Sequence, residues 1–144
     1  MIDLVRRNTD YALRLIVDLA KHYGDGPVST RAAAAEEDVP YQLACKLMQR
    51  LHKAALVRSC MGPKGGFSLG REPTEISLRE VVETIQGPIS INRCLLAADA
   101  CQHRRECTAR TKLAELQDYV RSYLDHITLD ELLHDGHEKD ERQP

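Results

Sequence analysis

The sequence predicts a mainly α-helical fold with one small β-hairpin and a long helix near its C-terminal end. Three observations predict it. Apolar residues recur at helical spacing in "DYALRLIVDLA" and again in "YQLACKLMQRLHKA". A glycine-rich tip, "GPKGG", separates two short β-like runs. From Leu113 to Ile127 the apolar spacing alternates between three and four residues, as in a coiled coil.

Residues 10–23 read as an amphipathic helix with Ala12, Leu15, Ile16, Leu19, Ala20 and Tyr23 on one face. Gly24 ends it, and "DGP" follows as a turn. Ser29 or Thr30 caps a short helix, "RAAAAEE", which Asp38 to Pro40 breaks. A third helix runs from about Tyr41 to Ala54. Leu43, Ala44, Leu47, Met48 and Leu51 share one face, and Gln42, Lys46, Gln49, Arg50 and Lys53 lie largely on the other. Residues 56–61 and 67–71 are the hairpin strands. Their glycine-rich tip is not a nucleotide-binding loop, because it joins two strands and lacks the Gly-Lys-Ser/Thr ending. Ser77-Leu-Arg-Glu80 is a capping box for a helix over 78–86, closed by Gly87-Pro88. The long helix, from about Thr108 to His126, aligns Leu113, Leu116, Val120, Tyr123 and Ile127. Thr128-Leu-Asp-Glu131 caps a last short helix. Residues 134–144, "HDGHEKDERQP", are expected to be a disordered acidic tail, with His134 and His137 part of that tail rather than a metal pair.

Composition narrows the function classes. The 144 residues suit one domain plus an appended helix, and 42% apolar content with no Trp and one Phe implies an aliphatic core. No apolar run is long enough to span a bilayer, so no membrane partner is expected. "MIDLVRRNTDYALR" lacks the order of a secretory signal, so the chain reads as cytoplasmic. In that compartment five cysteines are ligands, sensors or core fillers rather than structural disulfides. The net charge of −2 hides an uneven distribution. Residues 40–71 hold Lys46, Arg50, Lys53, Arg58, Lys64 and Arg71 and no acid, while residues 125–144 hold seven acids against two bases. A local basic block binds phosphate whatever the overall sum.

Helix, short helix, tight turn, polar-faced helix and glycine-tipped hairpin, in that order, make a winged helix-turn-helix. Such a motif places its second helix in the major groove and its wing on the backbone or minor groove. No enzyme chemistry is indicated; double-stranded DNA is the expected partner. Lys46 and Arg50 suit phosphates or guanine edges, and Gln42 and Gln49 can present an amide to adenine. Tyr41, Arg58, Lys64 and Gly65 complete the expected DNA-contacting set. One such module reads few base pairs, so a homodimer on a palindromic site is expected, joined by the long helix.

"RCLLAADACQHRRECTAR" concentrates Cys94, Cys101 and Cys107 in one polar segment. Crowded thiolates repel one another unless a cation or cluster is present, and soft thiolates select iron–sulfur clusters, zinc or copper(I). Zinc on Cys94, Cys101, His103 and Cys107, or a thiol switch without metal, are the alternatives. Cys45 and Cys60 lie apart and read as non-ligands.

The sequence resembles the IscR/NsrR family of dimeric iron–sulfur winged-helix transcription regulators. The resemblance covers residues 4 to about 133 and rests on "DYALRLIVDLA", "LMQRLHKAALV", "GPKGGFSLGR", "ISLREVVETIQGP", the three cysteines and "ITLDELL". It implies a winged helix-turn-helix domain over 1–90 and a cysteine-rich cluster-binding loop over 91–108. A dimerisation helix and a short C-terminal helix would follow over 109–133, with the tail over 134–144. It further implies a cluster, [2Fe-2S] or [4Fe-4S], on Cys94, Cys101 and Cys107. In the IscR-like branch a histidine stands three residues after the last cysteine; here Arg110 occupies that place. In the nitric-oxide-sensing branch an aspartate near the start of the first helix of the other subunit ligates, and Asp10 in "TDYALR" stands at the matching position. Met61 replaces a frequent wing arginine, Cys45 a glutamate found in some members, and Leu4 a common basic residue. The resemblance therefore carries DNA binding but not the sequence read. The expected function is a homodimeric regulator, a repressor, controlled by a cluster sensing nitric oxide, redox or iron–sulfur status. A cluster-free thiol- or partner-controlled regulator and a zinc-stabilised interaction module are the other readings.

Overall fold

The structure, a computed structural model, describes residues 3–92, 95 and 108–139. Helix α1 (Arg7–Lys21) buries Ala12, Leu15, Ile16 and Leu19 as one stripe. It starts before residue 10, and the cause is tertiary. The Gln86 side chain accepts from the Arg6 N–H at 3.2 Å and the Thr9 hydroxyl at 2.7 Å, and donates to the Leu4 carbonyl at 2.8 Å. These bonds hold the entry to a helix that has no local side-chain cap. Tyr23 lies beyond the helix and is 46% exposed, since Gly24, at φ 89°, lies in the left-handed turn that follows.

In helix α2 (Thr30–Glu36), Ser29 is the cap, accepting from the Ala32 N–H at 3.1 Å. Val39 is buried in the turn before helix α3 (Tyr41–Lys53), which buries Ala44, Leu47, Met48 and Leu51. Strands β1 (Val57–Cys60) and β2 (Gly66–Leu69) pair antiparallel, Val57 opposite Leu69 and Cys60 opposite Gly66. They are shorter than the sequence suggests because Leu56 and Gly70 close the hairpin base by a 2.9 Å bond and Met61 belongs to the tip. Val28 adds a bridge to Phe67 through two 2.8 Å bonds, which the sequence does not reveal. Gly66 makes this possible: a Cβ there would stand 2.2 Å from the Val28 carbonyl oxygen.

A 3-10 turn (Pro73–Glu75) leads to helix α4 (Leu78–Gln86), opened by the reciprocal Ser77–Glu80 capping box. Val81, Val82 and Ile85 enter the core. Helix α5 (Thr108–His126) follows the cysteine segment, and helix α6 (Leu129–Lys139) brings the chain back. The Leu78 N–H donates to the Ile127 carbonyl at 2.8 Å and the Leu129 N–H to that of Ile76 at 3.0 Å. Leu129 is fully buried, with Leu132 and Leu133 packed on the same core. This anchoring explains why α6 continues to Lys139, through the start of the expected tail; residues 140–144 lie outside the described residues.

Helix α5 behaves differently. Its buried residue is a polar one, Gln117. On the expected stripe Leu116 and Tyr123 are exposed at 50% and 59%, while Leu113, Val120 and Ile127 are half-buried. Tyr119, 70% exposed, stacks on Tyr123 at 6.5 Å and widens the apolar face.

Candidate nucleic-acid interface

The outer face of α3 presents Tyr41, Gln42, Lys46, Gln49 and Lys53 to solvent. Alternation with buried Ala44, Leu47, Met48 and Leu51 forces this, since one face is taken by the core. The wing projects beside it. Its tip carries Met61, 95% exposed, and exposed Lys64. Gly65 has a turn role: its N–H donates to the Gly62 carbonyl at 2.9 Å, and a Cβ would stand 2.3 Å from the Cys60 carbonyl oxygen. His52 ties α3 to the wing, with Nδ1 3.3 Å from the Val57 carbonyl and its ring edge-on to Phe67 at 6.2 Å. The reading helix and the wing are therefore fixed relative to each other. Arg58 is exposed on β1, bordering a groove with Tyr23, Pro27 and Ser68 rather than the tip.

The basic block divides in two. Among the described residues, Lys46, Lys53, Arg58 and Lys64 have no carboxylate within ion-pair distance. Arg71 is committed: it pairs with Glu80 at 2.9 Å and donates to the Glu75 carbonyl at 3.2 Å. Arg50 is committed too. It donates to the Ile85 carbonyl at 2.6 Å and the Thr84 carbonyl at 3.4 Å, bracing α3 against the end of α4. A cation there satisfies open carbonyls and complements the negative helix end. The structure gives Arg50 this tie in place of the free position its exposed face suggests.

One cation was not legible in advance. Arg31, on α2, lies with its guanidinium 4.2 Å above the Tyr41 ring. No periodicity connects these two residues; only the turn of the chain does.

Of the expected cluster residues, Cys94, Cys101 and Cys107 lie outside the described residues. Asp10 is half-exposed on α1, and its carboxylate accepts from Arg14 at 2.6 Å. That bond is the main cause of the raised Arg14 pKa. Arg14 also donates to the Glu37 carbonyl at 3.2 Å. Cys45 is half-buried on α3, and Cys60, at the end of β1, has Sγ 3.7 Å from the Ser68 hydroxyl. His134 stands on α6, where Nδ1 donates to the Asp130 carbonyl at 2.7 Å; this bond foremost, and the Asp130 charge, raise its pKa.

The segment leading to the cysteines is held on both sides. The Ile89 N–H donates to Glu83 at 3.3 Å, and the Ile89 carbonyl accepts from Arg121 at 3.0 Å. The Ile91 N–H donates to Gln117 at 3.2 Å, which accounts for that buried amide on α5. Residues 89–91 thus connect α4 to α5, while Ile85 and Gln86 connect the end of α4 to α3 and to the start of α1.

The sequence profile of the Rrf2 family, described as "Iron-dependent Transcriptional regulator", matches residues 5–135. The chain belongs to the Rrf2 family. It is 32% identical over 123 residues to the HTH-type transcriptional regulator IscR of Pectobacterium atrosepticum, covering 85% of this chain and 74% of that protein. The corresponding regulator of Photobacterium profundum is also 32% identical, over 126 residues. Among solved structures, IscR of T. potens superposes with a TM-score of 0.77 at 26% identity, covering 97% of this chain and 93% of that one. CymR of B. subtilis, described as a global cysteine regulator, superposes with a TM-score of 0.76 at 30% identity, covering 92% and 96%. This Rrf2 chain is a winged-helix, DNA-binding transcriptional regulator and not an enzyme. No described helix is long and apolar enough to cross a membrane.

Proposed function

We propose that this Rrf2 regulator is a homodimeric repressor whose operator affinity is set by an iron–sulfur cluster on Cys94, Cys101 and Cys107. The observation that carries the proposal is the bracing of residues 89–91. The thiols follow directly on a segment bonded to α5 through Gln117 and Arg121, and continuous with the α4 end that holds Arg50 of the reading helix. A displacement there is felt by the proposed dimer helix and by α3 together. Coupling on the order of 1–3 kcal/mol suffices for a useful switch.

The donor set fits such a group. Three thiolates are soft ligands suited to iron–sulfur clusters, and the two described cysteines stand apart on α3 and β1. The cluster would supply iron that reacts with nitric oxide or oxidants. Asp10 is the proposed fourth ligand, from the partner subunit; Arg14 holds its Oδ2 and leaves Oδ1 for iron. The exposed Leu116, Tyr119 and Tyr123 face of α5 supports a dimer, since monomers rarely leave so large an apolar patch open. Tyr41, Gln42, Lys46, Gln49, Arg58 and Lys64 form the proposed DNA surface on a palindromic duplex.

Anaerobic purification with an absorption spectrum and iron and sulfide assays tests the cluster. A brown protein whose colour is lost in Cys101→Ala is expected; a colourless protein free of iron overturns it. The likeness to CymR favours a second reading, a cluster-free regulator controlled through its thiols. Colourless protein whose DNA affinity responds to a thiol oxidant would select that reading.

A further inference from the structure

Arg31 has no role in the DNA surface proposed above, yet its setting is unusual for a surface arginine. It stands in the first turn of α2, where a cation gains nothing from the helix dipole. It is exposed and, among the described residues, has no carboxylate within ion-pair distance. Its guanidinium carbon instead lies over the ring of Tyr41, the first residue of α3, at 4.2 Å from the ring centroid. A guanidinium held over a ring and still exposed keeps N–H donors available, and their fixed fork suits a phosphate. The location also suits one. In helix-turn-helix proteins the second helix meets the bases through its N-terminal residues while the first crosses the backbone. Arg31 reaches from the first of these helices to the N-terminal end of the second. Neither helix carries an acid in its first turn to oppose an anion.

We propose that Arg31 is a DNA-phosphate contact and that Tyr41 serves DNA binding as the platform that holds it. This rests on the DNA surface proposed above. Tyr41 is then a positioning residue, which its exposed place on the reading helix does not reveal. A planar cation with a fixed fork of donors suits the platform and a phosphate better than a lysine ammonium does.

The test uses the full-length dimer and a fluorescein-labelled mixed-sequence duplex of about 30 base pairs, long enough for two half-sites one helical turn apart. Anisotropy titrations are run across a salt series. Arg31→Ala should weaken binding about tenfold near 0.1 M salt and reduce the slope of log affinity against log salt by about 0.9 per bound protomer. Tyr41→Ala should give a similar loss, and the double variant should be no weaker than either single one. Tyr41→Phe, which keeps the ring, should restore the salt slope that Tyr41→Ala loses. Unchanged affinity and slope in Arg31→Ala, or losses that simply add in the double variant, overturn the proposal. Wild-type protein that shows no salt-dependent binding at all overturns the DNA surface and the platform together.

Discussion

Arg50→Ala separates the position its sequence suggests from the one it occupies. A groove-facing arginine would lose phosphate binding when replaced; a brace between α3 and α4 would lose stability. Its strong bond is the 2.6 Å one to the Ile85 carbonyl, while the 3.4 Å contact to Thr84 is at the limit of a hydrogen bond. A hydrogen bond with a charged partner contributes about 1.5–3 kcal/mol. Arg50 is exposed, so only the shorter bond counts, at the lower end, about 1.5 kcal/mol. With a urea dependence near 2 kcal/mol/M, the unfolding midpoint should fall by roughly 0.75 M. Both proteins must be compared at one concentration, because the stability of the proposed dimer would depend on it. The salt slope of DNA binding should stay at the wild-type value in Arg50→Ala. Lys46→Ala, which removes an exposed and unpaired cation, should instead leave the midpoint in place and lower the slope by about 0.9 per protomer. An Arg50→Ala protein as stable as the wild type but with a reduced slope would refute the brace.

Two further outcomes are expected. Leu116→Asp with Tyr123→Asp should give monomers in light scattering, with DNA affinity reduced about a hundredfold or more because a single module keeps only one half-site; a wild-type monomer at micromolar concentration would remove the basis for that expectation. Asp18 is 2% exposed, and burial above all raises its pKa from 3.8, with Glu37 and Glu36 adding to the rise and His22 and Lys21 opposing it. The folded chain therefore holds this proton to higher pH than the unfolded chain, so stability falls as pH rises through that window and the penalty is complete above the folded pKa. Asp18→Asn should melt higher than the wild type at neutral pH, with the advantage shrinking as pH approaches 3.8; an advantage independent of pH would show that titration of Asp18 is not its source.

What the sequence carried was most of what local periodicity sets, apart from Tyr23, which lies beyond α1. Ala12, Leu15, Ile16 and Leu19 on α1, Ala44, Leu47, Met48 and Leu51 on α3, and the Ser77–Glu80 box on α4 each act within a few turns of chain, and each lies where spacing puts it. The extra turn of α1, the bridge from Val28 to Phe67 and the return of Leu129 to the core depend on partners far along the chain, and no local pattern encodes them. The same physics decides which cations stay free. Six cations crowd residues 40–71, and pattern alone treats them alike. Arg50 and Arg71 are drawn off by carbonyls and a carboxylate on α4 and its approach, partners that exist only once the chain has folded. Arg31, outside the block, is held by an aromatic ring brought near by the turn. A lysine's single charge on a long stem stays with the solvent unless captured, whereas a guanidinium, with five donors and a flat face, finds tertiary partners. The free lysines of this block are therefore readable from sequence and its tertiary-bonded arginines are not, while Arg58 is left exposed by strand β1.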